Sequence, residues 1–211
     1  MKTDVILVSA TGAGVDEALN QSEKFADYQS YSAKDKIRLR LIAEESLGMV
    51  KTFSDDYDVN FYIEGDEKKC TVVVEADVDI DSQVEDELLA LSTTGKNDAA
   101  KGFMGKMKVL FFGCVKQFND IYNIKSQYPG GNVDFAEMGM YDNSAISVNS
   151  YMWSLTQYRD QLFEEKDSNE GSKEAWDELE KSIVASIADE VKVGVVGNKV
   201  TLKVEYTAAN N

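Results

Sequence analysis

The sequence predicts an α/β (α+β) two-layer sandwich, in which a mixed sheet of about five strands is covered on one face by helices. Two stretches of alternating residues, 58–80 and 191–206, each contain a glycine turn and predict two β-hairpins. An apolar run near the start adds a further strand, and stretches with helical periodicity supply the second layer. A chain of 211 residues, 43% of them hydrophobic, suits one domain with a buried core.

The first third of the chain predicts a strand followed by two helices. Residues 5–8 form the apolar run typical of a strand, and helical spacing of apolar residues follows over 15–29. Ser32 with Asp35 three residues later is an N-cap pattern, which predicts the start of a second helix over 33–53.

The middle of the chain predicts a polar loop over 92–101 and a long apolar helix over 102–123. A helical insertion is expected at about 119–182 within a single domain of residues 1–211. Its helices are predicted from Tyr151 to Glu165 and, continuing past the insertion, from Ser172 to Ala188.

Charge and composition exclude several classes of function. A net charge of −16 argues against binding to nucleic acid or to anionic membrane surfaces, because both depend on Lys and Arg. The negative charge favours solubility or a basic protein partner. A second copy of the chain is an alternative partner. The start of the chain is too short an apolar run for a signal peptide, so a cytoplasmic location is expected.

The chain contains no histidine, which excludes zinc sites and catalytic triads built on that residue. Its two cysteines, Cys70 and Cys114, lie in apolar runs without short spacing. They are therefore expected to be reduced core thiols rather than a disulfide or a metal site, and no metal ligand is assigned.

The segment from Leu39 to Met49, together with the order of the elements, resembles the histidine-kinase-like ATPase superfamily, most closely its anti-sigma-factor serine kinases. In that family this helix carries Glu-x-x-x-Asn. The resemblance implies that Glu45 stands at the catalytic base and that Met49 replaces the magnesium-ligating Asn. The alternative is that Glu44 and Glu45 lie at the solvent edge of an amphipathic helix.

The strand that follows in the family ends in Asp-x-Gly-x-Gly, whose Asp binds the adenine. The resemblance implies that Asp77 keeps this role, whereas Asp79 and Asp81 replace both glycines and Lys199 replaces a Thr near the adenine. Carboxylates at these positions add bulk and negative charge beside a polyphosphate. The similarity covers residues 1 to about 118 and about 183–206.

The segment that precedes the long predicted helix is similar to the family's glycine-containing, phosphate-binding segment. Here Lys96, Lys101, Gly102 and Gly105 could bind an anion through lysines, backbone N–H groups and the helix dipole. A solvated helix start with scattered lysines explains the same residues, and both interpretations stay open.

These departures predict a regulatory or protein-interaction module on a degenerate ATP-binding scaffold. ATP is expected to bind weakly or not at all, and magnesium is not expected to help, because a thioether cannot replace a hard oxygen ligand. On balance no catalytic activity is expected. The alternatives are an active ATP-dependent serine/threonine protein kinase with Glu45 as base, and a binder of another small anionic ligand.

Overall fold

The computed structural model describes residues 1–51, 58–77, 151–168, 170–196 and 199–209. This part of the chain contains a six-stranded sheet and five helices, which confirms the α+β class. No helix in the described ranges is both long enough and apolar enough to cross a membrane.

Both predicted hairpins and the first predicted strand share one sheet, as the sequence indicates. The strands lie in the order β1-β2-β3-β6-β5-β4. Every pairing between them is antiparallel, so the described sheet has six strands rather than about five and is not mixed. The strands are β1 (Ile6–Ser9), β2 (Asp58–Gly65), β3 (Lys69–Asp77), β4 (Tyr151–Ser154), β5 (Glu190–Val196) and β6 (Lys199–Thr207).

The first two predicted helices are present with bounds within about two residues of those expected. The helices are α1 (Val15–Tyr28), α2 (Ala33–Lys51), α3 (Leu155–Glu165), α4 (Glu170–Lys181) and α5 (Ile183–Ile187). The predicted loop over 92–101 and helix over 102–123 lie outside the described residues.

The prediction of a helix from Tyr151 to Glu165 is wrong for its first four residues. Tyr151–Ser154 form strand β4, which pairs with β5 at one edge of the sheet, and the Ser154 hydroxyl then caps α3 by accepting the N–H of Gln157 at 3.2 Å. Pairing with a distant strand decides the conformation of this short segment, because four residues carry too little local preference to do so.

The predicted helix from Ser172 to Ala188 is two helices. Ser182 interrupts it with an extended backbone, and its hydroxyl accepts the N–H of Ala185 at 3.2 Å. After the break Val184 is buried, whereas Ile183 is 42% exposed.

One face of the sheet forms the core with the helices. Alternate residues of β6 are buried on this face: Val200, Leu202, Val204 and Tyr206. Phe25 of α1 and Leu39 of α2 pack into the same cluster. The opposite face, called the outer face below, carries the intervening polar residues of β6, among them Lys203 and Glu205.

Gly14 determines how the chain passes from β1 into α1. Its φ of 85° is in the left-handed region, and a Cβ placed there would lie 2.2 Å from the carbonyl oxygen of Leu7. Only glycine allows α1 to start this close to the strand.

Candidate functional site

Helix α2 packs against β3 and β6 and begins at the end of the sheet opposite Asp77. In its first turn, Asp35 accepts a hydrogen bond from Tyr206, which is near the end of β6. The 19 residues of α2 span about 28 Å, and the helix contacts β3 and β6. Lys199 at the start of β6 pairs in register with Asp77 at the end of β3. Asp35, at the start of α2, and Asp77 therefore lie at opposite ends of the sheet.

Glu45 lies on a flank of α2. The helix turns Leu39, Ile42 and Ser46 toward the sheet, where all three are fully buried. Glu45 is half-buried and Glu44 is exposed. The exposure of Glu44 fits the solvent edge of an amphipathic helix, whereas a role for Glu45 as a base stays a prediction.

Asp77 is exposed, as is its cross-strand neighbour Lys199. In this position the carboxylate can accept and the ammonium can donate a hydrogen bond to a polar ligand. The two groups can also form an ion pair with each other. The other predicted nucleotide-binding residues lie outside the described residues: Lys96, Lys101, Gly102 and Gly105. In the described ranges no group of three acidic or cysteine side chains is placed to hold a metal ion.

Two exposed apolar side chains lie at the start of the first strand, Leu7 in β1 and Val5 just before it, and together they form the β1 patch. Val5 is 52% exposed and Leu7 is 60% exposed. Leu7 pairs with Asn60, so it points to the same face as Tyr62 two residues further along β2. Tyr62 and its partner Val73 are buried, yet neither belongs to the core that the helices cover.

The Tyr62 ring is held by charged neighbours. The Lys2 ammonium lies 3.7 Å from the ring centroid, and the Tyr62 hydroxyl donates a hydrogen bond to Glu75 at 3.3 Å. A cation over the face of a tyrosine ring is attracted by its quadrupole. These contacts fix an aromatic side chain beside the β1 patch.

Glu205 joins three strands on the outer face. Its two carboxylate oxygens accept hydrogen bonds from Lys69 of β3 and Lys192 of β5, both at 2.6 Å. Burial alone would raise the pKa of Glu205, but the two ammonium groups hold it below its ordinary value. The far half of the outer face is therefore a network of paired charges, unlike the apolar β1 patch.

A buried carboxylate at the opposite end of the sheet was only partly expected from the sequence. Asp35 is 1% exposed and accepts hydrogen bonds from the hydroxyl of Ser32 at 2.5 Å and from Tyr206. Arg38 lies 3.8 Å away, and the backbone N–H of Ala209 donates at 3.4 Å. Burial alone would raise the pKa of Asp35, but these donors and the guanidinium lower it. The capping pattern was visible in the sequence, whereas a partner 171 residues away was not.

Two open clefts lie elsewhere in the described part of the chain. One, of about 380 Å³, lies between β4, α3 and α4. The other, of about 210 Å³, lies beside Tyr31 and Lys68 at the end of the sheet near Asp35. Glu45 and Asp77 line neither cleft.

Comparisons of the chain with protein-family models, with curated proteins and with solved structures give no match.

Proposed function

We propose that this chain is a regulatory or protein-interaction module that binds a basic protein partner, on a scaffold resembling the histidine-kinase-like ATPase superfamily. In this proposal the nucleotide site is degenerate and ATP binding is weak or absent.

The β1 patch is the observation that carries the proposal. Leu7, on the outer face beside the fixed ring of Tyr62, and Val5, two residues earlier, are each more than half exposed. Covering their exposed parts would contribute roughly 2 kcal/mol to binding, which is enough to position a partner but not to hold it alone.

Charge complementarity supplies the second contribution. A net charge of −16 attracts basic surfaces over long distances and raises the rate of association. A partner with apolar side chains surrounded by Lys or Arg would satisfy both features. This combination supports a protein partner over a nucleic acid or an anionic membrane.

The experiment purifies three baits from the cells that make the protein and identifies the proteins that each bait retains. The baits are the wild-type chain, the double variant Val5→Ser with Leu7→Ser, and Ile37→Ser. Ile37 lies on α2 and is 61% exposed, close to the 60% of Leu7, so its replacement removes a similar apolar side chain from a different surface.

The expected result is a protein that the wild type and Ile37→Ser retain and the double variant loses. Its retention should weaken as salt increases, because charge attraction is screened. If all three baits retain the same proteins, the β1 patch is not the binding surface and the proposal fails.

The alternative is an active serine/threonine protein kinase with Glu45 as base. The half-buried position of Glu45 on α2, a helix that packs against β3, the strand that ends at Asp77, is the observation that favours it. Magnesium-dependent ATP binding distinguishes this alternative from the first proposal.

A further inference from the structure

The cleft between β4, α3 and α4 has one wall made by a single face of α3. Residues at helical spacing line it: Ser154, Gln157, Tyr158, Gln161, Leu162 and Glu165. The facing wall, from α4, has only small side chains, including Ser172 and Ala175. Long side chains opposite short ones leave a volume of about 380 Å³, within the range of small-ligand sites.

Two aromatic rings form the inner end of this cleft. Trp153 is only 9% exposed, and its ring centroid lies 5.8 Å from that of Tyr158 at an interplanar angle of 49°. A tyrosine hydroxyl is neutral at physiological pH, and burial raises the pKa of Tyr158 further. The tilted rings form a corner whose faces carry partial negative charge, which attracts cations.

A fixed carboxylate lies at the other end. Glu165 accepts a hydrogen bond from the hydroxyl of Ser172 at 2.9 Å and another from the side-chain amide of Gln161 at 3.2 Å. Each carboxylate oxygen can accept a second hydrogen bond. The group is therefore oriented by the protein and still able to receive a ligand.

The positively charged side chains of α3 and its C-terminal flank turn away from the cleft. The Lys166 ammonium lies 4.1 Å from the ring centroid of Phe163 and 4.6 Å from that of Trp176. Arg159 donates to the carbonyl oxygen of Ala185, in α5. Among the described residues that line the cleft, Glu165 carries the charge and no Lys or Arg balances it.

We propose that this cleft binds a small organic cation, an ammonium group on a short apolar body, between the two aromatic rings and the carboxylate of Glu165. Trp153 and Tyr158 contact the apolar body, whereas Glu165 neutralises the charge. This proposal is independent of the partner surface at β1.

The test titrates the full chain by calorimetry with three ligands, of which choline and its neutral isostere match in size and ethanolamine is smaller. Choline offers a quaternary ammonium, ethanolamine a primary ammonium, and the neutral isostere of choline replaces the trimethylammonium by a tert-butyl group. At least one cation should bind, at least about tenfold more tightly than the isostere, because only the cation gains from the carboxylate. The tighter of the two cations identifies the kind of ammonium.

Variants then locate the binding. Glu165→Gln removes the charge while keeping a carbonyl oxygen for Ser172, and it should weaken cation binding about tenfold or more. Glu164→Gln removes the same charge from the adjacent, exposed position of α3 and should stay within about twofold of wild type. Gln157→Lys places an ammonium at an exposed position of the lining and should abolish binding even if Glu165→Gln does not fold.

The proposal is overturned by no saturable binding of either cation, by equal binding of the isostere, or by full affinity in Gln157→Lys. Equal losses in Glu165→Gln and Glu164→Gln would also overturn it, because they would show a general effect of net charge.

Discussion

The hydroxyl of Tyr206, in β6, donates a hydrogen bond to the buried carboxylate of Asp35, in the first turn of α2. Replacing Tyr206 by Phe should lower the free energy of unfolding by about 1–3 kcal/mol, because a buried acceptor loses its donor. Urea unfolding measures the change. Tyr31→Phe is the matched control: its hydroxyl donates to the carbonyl of Asp66 at an exposed position, so it should cost less than about 1 kcal/mol. Equal losses in the free energy of unfolding would mean that the buried hydrogen bond to Asp35 stabilises the chain no more than the exposed one.

The lowered pKa of Asp35 predicts a loss of stability in acid. Its carboxylate stabilises the folded chain fully at pH values above the unfolded pKa of about 4, and this contribution is lost as the pH falls through the lower folded pKa. Urea midpoints measured from neutral to strongly acidic pH should therefore fall less steeply in Asp35→Asn than in wild type. Asp160→Asn, at an exposed position of α3, should keep the wild-type slope.

Two glycines should respond to alanine in opposite directions. Gly14→Ala should destabilise the chain, because φ is 85° and the new Cβ would meet the Leu7 carbonyl oxygen. Gly48→Ala should stabilise it by up to about 1 kcal/mol, because Gly48 lies in α2 with open space where a Cβ would be. Thermal unfolding of both variants measures the effects, and a stabilised Gly14→Ala would contradict the close approach of α1 to β1.

Cys70 should be almost unreactive in the folded chain. Burial raises the pKa of its thiol to about 12, with further contributions from Asp189 and Asp66. Alkylation of Cys70 at mildly alkaline pH, followed by mass spectrometry of its peptide, should be more than about 100-fold slower than in urea. Similar rates in the two conditions would show that the end of the sheet around Tyr31 opens readily.

ATP at millimolar concentration should give little or no heat of binding, with or without magnesium. Calorimetry should show the same result for Asp77→Asn, because one hydrogen bond to adenine contributes only about 1 kcal/mol. A micromolar affinity that needs magnesium and disappears in Asp77→Asn would favour the kinase alternative instead. Asp66→Asn, in the β2–β3 turn at the other end of the sheet, is the control.

The sequence predicted the elements whose pattern is local and missed those decided by distant partners. Alternation along β2 and β3 was long enough to predict the hairpin, which pairs Val59 with Ala76 through to Gly65 with Cys70. Strand β4 has only four residues and lies at an edge of the described sheet. Its pairing with β5 could therefore not be predicted from its own amino-acid sequence.

The candidate site shows the same division. A capping pattern predicted that Ser32 and Asp35 start a helix, but the burial of Asp35 depends on Tyr206 of β6. The cleft beside Trp153 was missed because its carboxylate, rings and small residues come from three elements, β4, α3 and α4. Sequence periodicity does not predict how separate elements pack against one another. Helical spacing along α3 was the signal that could have found one of its walls.

The pairing of β3 with β6 has a consequence for how the chain is made. These strands form the middle of the sheet, yet residues 78–198 separate them in sequence. Pairing two strands so far apart in sequence slows folding. Until β6 pairs with β3, the edge of β3 stays unpaired on a newly synthesised chain. Unpaired edges recruit other chains. Lower expression temperature and chaperone supply should therefore raise the yield of this protein more than stabilising substitutions do.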